Sequence, residues 1–138
     1  MEMEKINYLG QQLAIILYDS FKHSGIHYFT INEHSQQLAY MNHPKGKQID
    51  PHVHNPVKRE VRYTQEVLFI KSGKIRVDFY SDSQEFIESR VLSKGDVILL
   101  ITGGHGFEVL EDLEMIEVKQ GPYAGDQDKT RFKPVIKK

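Results

Sequence analysis

Four side chains in this sequence have the types and spacing to hold or move charge together. His52 and His54 lie two residues apart, Glu66 follows His54 after eleven intervening residues, and His105 stands in the run Thr102-Gly103-Gly104-His105-Gly106. Residues two apart on a strand point to the same side. His52 and His54 are therefore expected to face together, with Glu66 joining them from a neighbouring strand. Three imidazoles and one carboxylate suit one divalent transition metal ion. Each residue also has a plainer reading. HxH occurs in ordinary surface turns, Glu66 could form an ion pair with Arg62, and His105 among glycines could belong to a loop. His23, His27, His34 and His43 have no partner spacing and read as structural. No nucleophilic triad is visible: Ser72 reads as a turn residue and Ser93 has no histidine beside it.

The elements that must position these groups are short apolar segments recurring at about ten-residue intervals between turn formers, the pattern of a sandwich or barrel. Strands are expected over 12–19, 26–32, 36–43, 66–70, 75–80, 85–92 and 96–101, with a last pair on either side of Glu111-Asp112. Ser72-Gly73 reads as a two-residue hairpin loop. That hairpin sets Ile70 opposite Ile75, Leu68 opposite Val77 and Glu66 opposite Phe79. Glu66 is then a lone carboxylate on an apolar stripe, and an unpaired buried charge is costly. If the strand runs back unbroken, Thr64, Arg62 and Glu60 share its parity. A tight turn at Glu111-Asp112 puts Val109, Phe107 and His105 on one face, with Ile116 and Val118 facing them. The tail from Gly121 is expected to pack loosely or to reach a partner subunit.

Bulk properties narrow the function. The 138 residues make one domain, 1–138, with its barrel core at about 38–120. Charges nearly balance at a formal net −1, so the basic footprint of a nucleic-acid binder is missing. No cysteine is present, which removes disulfides, thiolate ligands and a cysteine nucleophile together. No apolar run has the length of a membrane span and the N-terminal residues lack the apolar core of a signal peptide, so a cytoplasmic protein is expected.

These residues resemble the cupin superfamily. Its first motif runs glycine, five residues, His-x-His, a short spacer, glutamate, six residues, glycine; Gly46, His52, His54, Glu66 and Gly73 follow it. Its second motif is matched by Gly95, Gly103 and His105. The eleven-residue spacer is longer than the family's, Ile101 stands at the motif's proline and Val109 at its asparagine. Glu60 is nearer the usual spacing, but no glycine follows it at the right distance.

The resemblance implies an all-β fold, a double-stranded β-helix or jelly-roll barrel of two antiparallel sheets. It also implies that His52, His54, Glu66 and His105 ligate one divalent metal, whether Fe, Mn, Ni, Zn or Co. Expected pocket residues are Gln48, Arg62, Thr64, Leu68, Val77, Phe79 and Phe107, and the candidates for a catalytic role are Glu60 and Arg62. The expected function is an enzyme acting on a small oxygenated molecule such as a sugar derivative, of isomerase or epimerase type. A metal-dependent dioxygenase, a metal-free sugar-nucleotide ketoisomerase and a non-catalytic ligand-binding protein stand as alternatives. A homodimer is expected, since such barrels often cap an exposed edge strand with a second copy.

Overall fold

A computed structural model describes residues 1–134. The chain is almost entirely β: β1 (Met3–Tyr8), β2 (Gln11–Leu17), β3 (Gly25–Tyr28), β4 (Ala39–Asn42), β5 (Glu66–Tyr80), β6 (Phe86–Ser93), β7 (Val97–Leu100) and β8 (Gly104–Lys119), followed by one 3-10 turn at Gly125–Asp128. The main sheet is antiparallel, in the order β1-β2-β7-β5-β6, with β8 also on β5. It curls into a half-barrel. β3 and β4 form a separate two-stranded sheet. No helix among the described residues is long and apolar enough to cross a membrane.

β5 organises the sheet. One edge carries β8 along its whole length; the other carries β7 against Glu66–Phe69 and then β6 against Lys74–Tyr80. The hairpin expected at Ser72-Gly73 is absent, because β5 runs on through both residues. So is the turn expected at Glu111-Asp112, because β8 is likewise continuous. Leu68 pairs with Glu117 and Ile70 with Met115, not with Val77 and Ile75. The register between the two strands slips between Ile70 and Ile75, so the glycine serves as a bulge where the ribbon bends. Gly73 has φ +89°, and a Cβ there would lie 2.0 Å from the Asp112 carbonyl oxygen. Only glycine lets β8 pass so close.

The concave side holds the larger core: Ile6, Leu13, Ile16, Leu68, Ile70, Ile75, Val77, Phe79, Leu92 and Ile98 are all essentially excluded from solvent. Burying each such side chain is worth about 1.5–3 kcal/mol. The convex side has its own cluster, Ile15, Leu38, Leu99 and Ile101, with Phe29 and Val67 packed on it. β2 and β7 are buried on both faces, as their unbroken apolar runs require. β1 was not expected, and it carries the sheet's terminal strand. Its Glu4 accepts from Arg90 Nε at 2.9 Å and Nη2 at 2.7 Å, tying β1 to β6 at the far end of the sheet order. The core therefore begins well before residue 38. β3 ends at Tyr28, short of the expected 26–32.

Candidate functional site

β5 begins at Glu66 and β8 near His105, and the curl brings these two side chains together. His105 Nε2 stands 3.6 Å from Glu66 Oε1, with both side chains largely covered. Glu66 lies opposite Leu100 of β7 and Lys119 of β8. The link from Leu100 to His105 is short and tightly held. Ile101 N–H donates to Leu13 O at 2.8 Å, and Thr102 Oγ1 donates to Gln12 O at 2.7 Å. Gly103 at φ +74° lies against Tyr80 O, so no larger residue fits this turn. The His105 imidazole holds the Glu66 carboxyl below the usual carboxylate range against the opposing effect of burial, and the Lys119 ammonium adds to the lowering. Glu66 is thus a carboxylate at neutral pH.

The pair faces a cavity of about 600 Å³, within the size range of small-molecule sites. Tyr63, Thr64, Tyr80, Asp82 and Phe107 line it, with Glu117 and Lys119 beside the pair. Lys129, Arg131 and Phe132 complete its mouth. The C-terminal segment lies over the opening as a strap. Phe132 packs edge-on against Tyr80 with ring centroids 5.0 Å apart, and Thr64 Oγ1 donates to Asp128 Oδ1. Lys119 Nζ is 3.2 Å from Glu117, which raises its pKa.

The other expected site residues fall elsewhere. His52 and His54 sit on the exposed stretch 44–63, outside any strand, their rings 5.1 Å apart. His52 Nδ1 contacts Asp50 O at 3.0 Å. Because the strand starts at Glu66, Glu60, Arg62 and Thr64 have no strand parity to inherit. Arg62 and Glu60 pair with each other at 3.2 Å on the surface, so neither meets Glu66. Thr64 and Phe107 do line the cavity. Leu68, Val77 and Phe79 are core residues behind it, and Gln48 is exposed. Residues that sequence reasoning missed are Tyr63, Tyr80, Glu117, Lys119 and the strap. Lys119 had a signal in principle: it is the residue that antiparallel β8 sets against Glu66 once β8 is taken as one strand.

One ion held by His52, His54, Glu66 and His105 would need all four to converge. Two of them do. Among the described residues no three His, Cys, Asp or Glu side chains stand together as a group able to hold a metal ion. The donor chemistry suits a metal, and this arrangement sets two of the four expected donors side by side.

Comparison with family models, with curated proteins and with solved structures finds no match to this chain.

Proposed function

We propose that the protein is an enzyme of isomerase or epimerase type, acting on a small oxygenated substrate by proton transfer between that substrate and the Glu66–His105 pair. The observation that carries this reading is the 3.6 Å carboxylate–imidazole pair facing a cavity of about 600 Å³. Proton transfer needs a base and an acid within reach of one substrate atom pair. Glu66 enters as the carboxylate base. The separation is longer than a hydrogen bond, which leaves the imidazole able to turn its N–H toward a substrate oxygen.

That exchange of partners has a chemical effect. While His105 stands beside it, Glu66 is a weakened base, because its carboxylate is stabilised. A carbonyl or hydroxyl that takes the His105 N–H frees the carboxylate and restores its basicity. Negative charge developing on that substrate oxygen is met by His105, with Lys119 close behind. A sugar or hydroxy-carbonyl compound has the required acidic C–H beside an oxygen. The fold proposed for this chemistry is a jelly-roll barrel similar to the cupins, and a soluble cytoplasmic setting accords with it.

Solvent deuterium incorporation into a panel of hydroxy-carbonyl sugars, followed by NMR, tests the reading. Incorporation by the wild-type protein and its loss in Glu66→Gln would support it. Incorporation that persists undiminished in Glu66→Gln and in His105→Ala would sink it.

A second reading keeps a metal. The stretch bearing His52 and His54 runs directly into Glu66, and its last residues, Tyr63 and Thr64, already border the cavity. Elemental analysis of protein purified without added metal separates the two. Near-stoichiometric metal that is lost in His52→Ala and in Glu66→Gln alike favours the metal reading.

A further inference from the structure

We infer that Gln36 is a positioning residue of the candidate site, holding Glu66 and Lys119 together through the amides of Gln65 and Gln120. The consequence for catalysis rests on the function proposed above; the clamp itself does not.

The argument starts from where the two residues stand. Glu66 is the first residue of β5, Lys119 the last of β8, and they are register partners. Strand ends open more readily than strand middles. From this end one chain leads back into the exposed stretch 44–63 and the other leads on into the exposed strap. The next residues outward are Gln65 and Gln120, and Gln120 N–H donates to Gln65 O at 2.9 Å. Gln36 closes that end. Its backbone N–H donates to Gln65 Oε1 at 3.0 Å, and its side-chain Nε2 donates to Gln120 Oε1 at 2.9 Å. Gln120 Nε2 donates in turn to Gly121 O at 3.1 Å, which ties in the start of the strap. Gln65 is buried, so the bond from Gln36 meets an acceptor that would otherwise lose its solvation.

Gln36 can hold the end because its own segment, the connection between β3 and β4, is firmly seated. Thr30 Oγ1 donates to Gln37 Oε1 at 2.7 Å, and Gln37 Nε2 donates to Ile31 O and His34 O at 2.9 and 2.8 Å. Phe29 N–H donates to Leu38 O at 3.0 Å, and Leu38 is buried in the convex cluster two residues from Gln36. The small sheet thus reaches the site through one side chain. The three amides are neutral, so they fix the strand ends without adding charge beside Glu66 and Lys119. His105 first, and Lys119 after it, lower the Glu66 pKa, so the placement of Lys119 bears on how strong a base Glu66 is.

NMR of Gln36→Ala and Gln120→Ala provides the test. Gln36→Ala keeps the backbone bond to Gln65 and removes only the side-chain link, so the fold is expected to persist. The Gln120 amide should exchange with solvent about threefold to tenfold faster in Gln36→Ala, while the amides of β2 and β7 keep their protection. Carboxyl spectra should show the Glu66 pKa raised in both variants, because the Lys119 charge is no longer held beside it. In a Lys119→Met background, Gln36→Ala should leave Glu66 where it is; a merely structural role for Gln36 would not depend on Lys119. A Glu66 pKa unmoved in both single variants, or an equal rise with Lys119→Met present, would overturn the inference. Deuterium incorporation separates this from the catalytic proposal, and a fall of about tenfold or more is expected in Gln36→Ala. Gln36-dependent spectra with no incorporation by the wild type leave the clamp standing and remove the proton-transfer reading. Incorporation by the wild type that is undiminished in Gln36→Ala does the reverse.

Discussion

Glu66 and His105 occupy opposite ends of the β5–β8 ribbon, yet their side chains stand 3.6 Å apart. Glu66 opens β5, and His105 is registered against Phe79, thirteen residues further along the same strand. A straight strand of that length would separate them by about 40 Å. The ribbon rolls up instead, at the slipped register around Gly73, and the candidate site exists only because it does. The geometry of the candidate site and the curvature of the sheet are the same property here.

The pH dependence of stability follows from the Glu66 shift. Its folded pKa is depressed, so its contribution is present above the ordinary carboxylate value of 4.5 and is lost as pH falls through the depressed one. Denaturant melts of wild type and Glu66→Gln should differ at pH 7 and converge in strong acid. Curves that stay parallel from pH 7 down to about 3 would show that the His105 contact does not stabilise the fold.

Gly73→Ala tests the corner. The new Cβ would collide with the Asp112 carbonyl and the φ of +89° is unfavourable for alanine. A loss of about 2–4 kcal/mol is expected by urea denaturation. Because the corner sets the curl, the variant should also lose the Glu66–His105 contact, read as a rise in the Glu66 pKa by carboxyl NMR. A destabilised variant with Glu66 unmoved would separate curvature from the site.

The tie between β1 and β6 predicts a phenol titration. Burial first, and Glu4 second, push the Tyr18 hydroxyl up to about 12. Tyr18 Oη donates to Glu4 Oε1 at 2.9 Å, the same carboxylate that Arg90 holds. Glu4→Gln should lower the Tyr18 pKa, while burial keeps it above the ordinary 10. A raised folded pKa means stability fully present below pH 10 and lost as pH rises through the folded value. Arg90→Ala should cost about 1–3 kcal/mol, since it strands a mostly covered carboxylate. An unchanged Tyr18 titration in Glu4→Gln would remove the tie from this account.

β8 leaves its outer edge unpaired among the described residues and exposes Ile116 and Val118 on the sheet's convex side. Free edges and exposed apolar rows invite a second strand, and we propose that a second copy of the chain supplies it. Light scattering should report twice the 16.0 kDa chain mass, falling to one chain in Val118→Lys. A monomer at every concentration would count against the pairing.

How much of this was legible in the sequence differs from element to element. β2, β6 and β7 were readable because alternation or a solid apolar run marks a strand wherever it packs. Glu66 stood out as one carboxylate on an apolar stripe. The corners were not readable. A glycine at positive φ looks the same in sequence whether the chain reverses, as in a hairpin, or bends and continues, as at Gly73. Reading a reversal there and at Glu111-Asp112 split two long strands into four short ones, and with the register went Lys119 as the neighbour of Glu66. β1 escaped because Ile6 is its only buried residue. The HxH pair shows the opposite limit, since spacing two apart implies a shared direction only inside a strand, and His52 and His54 lie outside one.

The bond between Glu4 and Arg90 also orders events in time. β1 and β2 leave the ribosome first, but β2 has its second partner at Val97–Leu100 and Glu4 has its partner at residue 90. At about 5–20 residues per second, the stretch between takes roughly 4–20 s to synthesise. Throughout that interval Leu13, Ile15 and Ile16 lack the β7 side chains Ile98, Leu99 and Leu100 that complete their two clusters. The strand made first is among the last to be locked, and the nascent chain carries a sticky, half-made hairpin that a chaperone would be well placed to shield.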